Sequence, residues 1–278
     1  MSRIYPDTSR MENATPSAQA GDRRQRVQSA ETGMAILKAL ASLGGSSSLT
    51  AIANEVGESA AKVHRYLSSF MQEGFVAQNP ATHHYYLGPE AIRLGLAALR
   101  QCDPVRLGDG ALLRLRESLE VTCFIAVMGN LGPTVLRIEE PFLPVTVNIR
   151  AGSVLPLLWS ATGQVFLAFT DNADMHRKAE AEFEAASAEQ RSLFGGPQPV
   201  ARLRRQVREQ GGAIVQDTLL RGISAVSAPI FDAAGRVCAV LTALGASNGF
   251  DARPGGAICP LVVREAADIS AAMGYQPA

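Results

Sequence analysis

The chain is poor in the residues that tie a protein to an oxidising compartment, a metal or a membrane. Only four of its 278 residues are cysteines. Cys102, Cys123, Cys238 and Cys259 form no C-x-x-C pair, and three of them sit in apolar surroundings, where cysteine behaves as a small buried hydrophobe in a reducing compartment. The histidines His64, His83, His84 and His176 lack ligand spacing, so no metal is expected. No apolar run approaches the roughly 18 residues of a membrane span, and no charged segment followed by an apolar stretch opens the chain. The expected location is the cytoplasm, with no membrane contact. Formal net charge is zero, so no global field draws in a polyanion. That excludes a protein basic throughout, but a local patch suffices for nucleic acid. What the chain does have is length and apolar content: 278 residues, 47% hydrophobic, exceed one small domain and can bury a sizeable core in one of two.

The most ordered pattern lies in residues 49–88, LTAIANEVGESAAKVHRYLSSFMQEGFVAQNPATHHYYLG. Ser59 is a good N-cap and Gly74 a good C′ residue for a helix between them. Val63, Tyr66, Leu67 and Phe70 recur at i, i+3, i+4 and i+7, which gathers them on one face. The opposite face then carries Ala61, Arg65, Ser68 and Gln72, with Lys62 and His64 on its flanks. Upstream, Thr50 can cap a shorter helix with Ile52, Ala53 and Val56 inward, closed by Gly57. The connection is as short as a helix-turn-helix requires. Downstream, FVAQ, an Asn79-Pro80 turn and HHYYLG read as a hairpin, a wing carrying His83 and His84. Two amphipathic helices and a hairpin also occur in proteins that never meet DNA, and a surface Arg is ordinarily just solvated. The DNA reading would place Thr50, Ser59, Ala61, Lys62, His64, Arg65, Ser68, His83 and His84 at double-stranded operator DNA.

Before this stretch, residues 1–26 mix polar residues and charges without periodicity and read as a disordered arm. Arg23, Arg24 and Arg26 end it, as a solvated tail or as cations able to touch phosphates. Ser29 can cap a helix with Ile36, Leu37, Leu40 and Leu43 on one face, followed by a loop of Gly44-Gly45 and serines. Three helices and a wing make a winged helix-turn-helix over residues 27–88. Residues 89–103, with Ile92, Leu94, Leu96 and Leu99, read as a linker helix.

Residues 104–278 read as a second domain. A helix over 108–119 with Leu112, Leu113, Leu115 and Leu119 inward precedes two strands, VTCFIAVMG and PTVLRIEE, and a third, PVTVNIR. ATGQVFLAF and the Ala- and Glu-rich region 171–187 suggest helices. A helix over 199–210 puts Val200, Leu203 and Val207 inward and four arginines outward, a solvated face. GAIVQD, ISAVSAPIF and RVCAVLTAL follow as strands, the last two joined by the turn DAAG. A closing helix over 254–273 carries Ile258, Leu261, Val262, Ala266 and Ile269. The fold class is α+β in two domains: a winged helix-turn-helix, a linker helix, and a sensor domain of GAF-like shape with one sheet covered by helices.

One pattern points to catalysis. Gly245-Ala246-Ser247-Asn248-Gly249 matches G-x-S-x-G after an apolar strand, but a nucleophile elbow needs a helix directly after the Ser and a later His as base. Pro254 follows and the last His is His176, so a loop is expected, with no catalytic residue; a small serine hydrolase on Ser247 is the enzymatic alternative. No G-x-x-x-x-G-K-S/T phosphate cradle occurs, and no cofactor is expected.

VQSAETGMAILKALASLGG, LTAIANEVG, KVHRYL, EGFV and YYLG, then GSVLPLLWSATGQVFLAF and RGISAVSAPIFDAAGRVCAVLTALG, resemble in order the blocks of the IclR family of bacterial transcription regulators. The resemblance covers nearly the whole chain beyond the arm and implies a ligand-responsive DNA binder, a homodimer or homotetramer paired through the first domain and linker helix. Two copies of the Arg65 helix would then meet successive major-groove faces of a near-palindrome. Family members commonly carry Ser-Thr where Ala61-Lys62 stand, and an Arg at the position of Tyr86. The resemblance places a small organic-acid effector between three blocks: Ser160, Ala161 and Thr162; Ala225 and Ser227; Thr242 and Leu244, with Trp159 near the wall. The hydroxyls of Ser160 and Thr242 could hold a carboxylate, and backbone N–H groups near Ala161 favour an anion. Members that sense small keto acids tend to have an Asp and a Ser where Val215 and Leu244 stand. Each change adds apolar surface worth about 1.5–3 kcal/mol when buried, so a larger, hydrophobic or aromatic acid is expected. A sensor acting through a protein partner, its winged helix only a scaffold, is the other alternative.

Overall fold

The computed structural model describes residues 27–141 and 149–277. The arm expected over 1–26, with its three arginines, lies outside the described residues, as does most of the strand expected in PVTVNIR. The chain divides into two compact units, with the boundary between Leu99 and Arg100.

The first unit runs α1 (Gln28–Ser42), β1 (Ser46–Ser47), α2 (Leu49–Val56), α3 (Ala60–Gln72), β2 (Val76–Gln78), β3 (Tyr85–Leu87) and α4 (Pro89–Leu99). Ser59 caps α3, its hydroxyl accepting from the Lys62 N–H at 3.3 Å. The caps of the two earlier helices differ from expectation. Ser48, not Thr50, holds α2, accepting from the Ala51 N–H at 3.2 Å, because the helix opens one residue before Thr50 and a cap must lie outside it in extended backbone. Val27 precedes α1 with no side-chain cap, so Ser29 lies inside the first turn. Gly57 and Gly74 take the left-handed conformation, with φ of 68° and 72°, that ends helices α2 and α3. The serine run expected as loop contributes β1, which pairs with β3 to give the order β1-β3-β2. Ile36, Leu40, Ile52, Val63 and Leu67 are fully buried beneath Val76 and Tyr85 of the wing. Tyr66 and Phe70 are half-buried over Gly33 of α1, where an added Cβ would come within 3.1 Å of the Phe70 ring. α4 ends at Leu99 and buries no residue within its own chain; Ile92, Leu94, Leu96 and Leu99 are all more than half exposed.

The second unit runs α5 (Pro104–Leu119), β4 (Thr122–Met128), β5 (Pro133–Glu139), α6 (Ala161–Phe169), α7 (Ala173–Glu184), α8 (Ala188–Ser192), α9 (Pro199–Gln210), β6 (Ala213–Gln216), β7 (Ile223–Phe231), β8 (Val237–Ala246) and α10 (Ile258–Ala272). Among the described residues the strands form one antiparallel sheet in the order β5-β4-β8-β7-β6. Strand alternation sends Phe124, Ser227, Thr242 and Leu244 to the face covered by α6 and α9, and Cys123, Ile125, Val226 and Leu241 to the face covered by α5 and α10. Burial pushes the Cys123 thiol up to about 12, so it stays protonated and inert.

Four details depart from the sequence reading. α5 starts at Pro104, capped by Asp103, whose carboxylate accepts from the Val105 N–H at 2.9 Å. Leu113 faces outward, and Gly108, Ala111, Leu112 and Leu115 make the buried stripe. α10 starts at Ile258, because the preceding Pro-Gly-Gly forms a turn. The arginines of α9 are not simply solvated: Arg204 Nε donates to the Leu167 carbonyl at 3.0 Å and Arg208 Nε to that of Ala168, so both satisfy the C-terminal end of α6.

Candidate nucleic-acid interface and effector cavity

The outward face of α3 is polar, and its cations are differently occupied. Arg65 and His64 are exposed, and among the described residues neither side chain has a partner. Lys62 is half-buried and paired to Glu58 at 2.6 Å. Ser68 is turned back on the helix, donating to the His64 carbonyl at 2.9 Å, and Ala61 is exposed at the start. Thr50 is exposed in the first turn of α2. In the wing, the Asn79 side chain accepts from the N–H groups of Ala81 and Thr82, and His83 sits at a positive φ of 57°. That turn leaves His83 and His84 exposed at the tip. A helix presenting an unengaged guanidinium, flanked by a hairpin with its own exposed side chains, has the parts that contact bases and phosphates.

In the second unit a cavity of about 40 Å³ lies between the start of α6 and the sheet. Val215, Ala225 and Leu244 are direct neighbours across β6, β7 and β8 and form its floor. Thr242 and its cross-strand neighbour Phe124 continue it. Ser160, Ala161 and Thr162 at the start of α6, and Leu219 and Leu220 from the loop after β6, belong to its walls.

The start of α6 is tightly held. Leu157 and Leu158 donate their N–H groups to the two oxygens of Glu182, at 3.0 and 2.8 Å, and Gln164 Nε2 donates to the Leu158 carbonyl at 3.0 Å. Gly163 lets the helix lie on this loop, since a Cβ there would fall 2.3 Å from the Pro156 carbonyl oxygen. The Ser160 hydroxyl, expected to be available to a carboxylate, is already used: it accepts from the Gly163 N–H at 2.9 Å and donates to the Pro156 carbonyl at 2.7 Å. The N–H groups of Ala161 and Thr162 make no hydrogen bond among the described residues, and they sit at the positive end of the helix dipole. Ser227, Thr242 and Thr162 form a chain of hydroxyls, with contacts of 2.7 and 2.9 Å. Three hydroxyl hydrogens serve two bonds, so one donor stays uncommitted in a buried place.

The chain matches the IclR helix-turn-helix domain over residues 29–80 and the bacterial transcriptional regulator IclR C-terminal domain over residues 96–271. It belongs to the IclR family. The crystal structure of Pseudomonas aeruginosa HmgR is 42% identical, with a TM-score of 0.79 over 91% of this chain and 100% of that one. The transcriptional regulator XynR of Escherichia coli K12 is 24% identical over 78% of this chain and 85% of XynR. The Pca regulon regulatory protein of Pseudomonas putida is 25% identical over 75% of this chain and 71% of its own length. This IclR-family chain is a DNA-binding transcriptional regulator, and among the described residues no helix is long and apolar enough to cross a membrane.

Within this IclR-family frame, six of the eight residues expected at the effector line the one cavity: Ser160, Ala161, Thr162, Ala225, Thr242 and Leu244. Two stand behind its wall. Trp159 turns away to pack edge-on against Phe194, with ring centroids 5.2 Å apart, and Ser227 reaches the cavity only through Thr242. Phe124, Ile149, Leu155, Leu219, Leu220 and Ile223 complete the lining without being marked by the sequence; only Phe124 and Ile223 lie on strands, where alternation signals burial and not which cavity is shared, and the other four lie in loops that carry no periodicity. Ser247 follows the last residue of β8 and lies in a turn, not a helix, its hydroxyl meeting Asp217 at 3.1 Å and Ser224 at 2.9 Å. The strand-to-helix elbow of a serine hydrolase is not formed there.

Proposed function

We propose that this regulator's affinity for operator DNA is set by an organic acid with an apolar or aromatic body, bound beside α6. One observation carries the reading: the polar groups free to meet a ligand cluster at one end of the cavity, as two helix-start N–H groups and a spare hydroxyl. The remaining walls, including Val215 and Leu244, are apolar. A carboxylate suits the first end and a hydrocarbon body the second. About 40 Å³ holds only a few waters at roughly 10–15 Å³ each, so a body of several carbons enters only as the walls move. Thermal-shift titration with glyoxylate, pyruvate, isovalerate, benzoate and phenylacetate tests this. Stabilisation by the last three is expected; saturable binding of the two- and three-carbon acids alone would refute it.

The remaining assignments follow the same reading. Residues 27–88 act as the DNA-binding domain, 89–103 as linker and 104–278 as effector domain, in the cytoplasm. Arg65 reads the major groove, with Ala61, Lys62, His64 and Ser68 alongside it. Thr50, Ser59, His83 and His84 approach the backbone. The exposed apolar residues of α4 support pairing into a homodimer or homotetramer, since such a face buried against a second copy leaves water. The effector changes DNA affinity by preferring one arrangement of the protein over another.

A further inference from the structure

Two cavities of the second unit lie back to back. The chamber beside α6 is about 40 Å³. The outer one, about 1010 Å³, opens to solvent and is bordered by Glu189, Asp217, Arg221 and Ser247. Leu219 belongs to the walls of both. Leu219 and Leu220 line the inner chamber and yet are 39% and 48% exposed, so these two side chains are in reach of both chamber and solvent.

The loop that carries them, residues 217–222, is firm at its base and loose at its tip. Asp217 Oδ1 accepts from the Gly222 N–H at 2.6 Å and from the Ser247 hydroxyl at 3.1 Å. The Asp217 N–H donates to the Ile223 carbonyl at 3.0 Å, and the Ser247 N–H to that of Gly222 at 2.8 Å. Above this base the Leu219 backbone makes no hydrogen bond among the described residues. The tip is tied by the Ile223 N–H, which donates to the Leu220 carbonyl at 3.2 Å, and by the Arg221–Glu189 pair at 2.8 Å, whose side chains are 87% and 78% exposed, and pairs that exposed hold little.

We infer that this loop is the gate of the inner chamber: ligands pass from the outer cavity past Leu219 and Leu220 as the tip swings on a base fixed by Asp217 and Ser247. Ser247 is thus a positioning residue for the gate, which accounts for the G-x-S-x-G match without a nucleophile. The proposal rests on the inner chamber being the effector site, and its test separates the two ideas.

A thiol placed on the chamber floor by Ala225→Cys is labelled with methyl methanethiosulfonate in the ligand-free full chain. Peptide mass spectrometry reads each cysteine separately. Labelling at position 225 is expected to rise about tenfold in Leu219→Ala, the change when roughly half a leucine's burial no longer favours the closed state. Ser247→Ala should raise it as well, and Ser247→Thr should restore the slow rate. Cys259, on the other face of the sheet, should keep one rate throughout. Unchanged labelling at 225 in both gate variants, or a parallel rise at Cys259 marking general unfolding, overturns the gate. The acid panel is run on the same variants. Labelling that responds without any acid binding keeps the gate and removes the acid reading; acid binding with unresponsive labelling does the reverse.

Discussion

The outer face of α3 and the chamber beside α6 are both polar surfaces on helices, and they are built on opposite principles. On α3 the guanidinium of Arg65 and the imidazole of His64 face solvent without a partner among the described residues. At the chamber, Ser160, Thr162, Ser227 and Thr242 are buried and each hydroxyl has a bond. Water satisfies an open surface, so nothing is lost by leaving donors unengaged. A closed chamber has no such solvent, and every polar group must find a partner inside or cost about 1–3 kcal/mol. An open polar surface can therefore be read from its exposed side chains, while a closed chamber is read from what its hydrogen bonds leave over.

That contrast can be broken by mutation. The largest effect should come from beneath the α3 face: Leu67→Ala empties fully buried space and should cost about 2–5 kcal/mol. Chemical denaturation followed by circular dichroism measures it, and a loss below about 1 kcal/mol would mean that the face is not supported by this core. Next, Thr242→Val strands the hydroxyls of Ser227 and Thr162 and should cost about 1–3 kcal/mol of stability. Arg65→Ala should leave the melting temperature within experimental error while weakening operator binding by about 1–3 kcal/mol, measured by fluorescence anisotropy at fixed salt. If Arg65→Ala and Thr242→Val lowered the melting temperature equally, the proposed difference between the two surfaces would fail.

The smallest effect concerns pH and lies away from both surfaces. Arg114 donates to both oxygens of the buried Glu265, at 3.2 and 2.6 Å, joining α5 to α10. This bond holds the Glu265 carboxyl below its ordinary value against the opposing effect of burial. The folded state therefore binds that proton less readily than the unfolded chain. The stabilisation is present above the ordinary glutamate value of about 4.3 and is lost as pH falls from there through the lowered folded one. Because Arg114 is more than half exposed, the contribution should stay within about 1 kcal/mol. Urea melts of Glu265→Gln and the parent chain should differ at neutral pH and converge in acid. A difference that grows on acidification would reverse the assignment.

Local features were legible in the residues because they depend on near neighbours. The 3.6-residue spacing of Val63 and Leu67, the Ser59 cap and the glycines at 57 and 74 act within a few residues. Where candidates stand side by side, local pattern does not decide: Ser48 and Thr50 are both good caps, and only the helix start chooses between them. The α9 arginines misled for a different reason. Periodicity says that they leave the helix's apolar stripe, but not that Arg204 and Arg208 then meet the open carbonyls of another helix.

The sequence alone determined the winged helix, the two-unit division, the family blocks and the outward position of Arg65, since periodicity, caps and turn residues encode each within a short span. The tertiary structure decided which residues share the chamber. Cross-strand register sets Val215 beside Ala225 and Leu244, and brings Thr162 to Thr242 from eighty positions away. A shift of one residue would turn those strand side chains to the other face. It also decided that Ser160 is spent on its own helix while the N–H groups of Ala161 and Thr162 are left over, because donors and acceptors are matched only once the chain has closed around them.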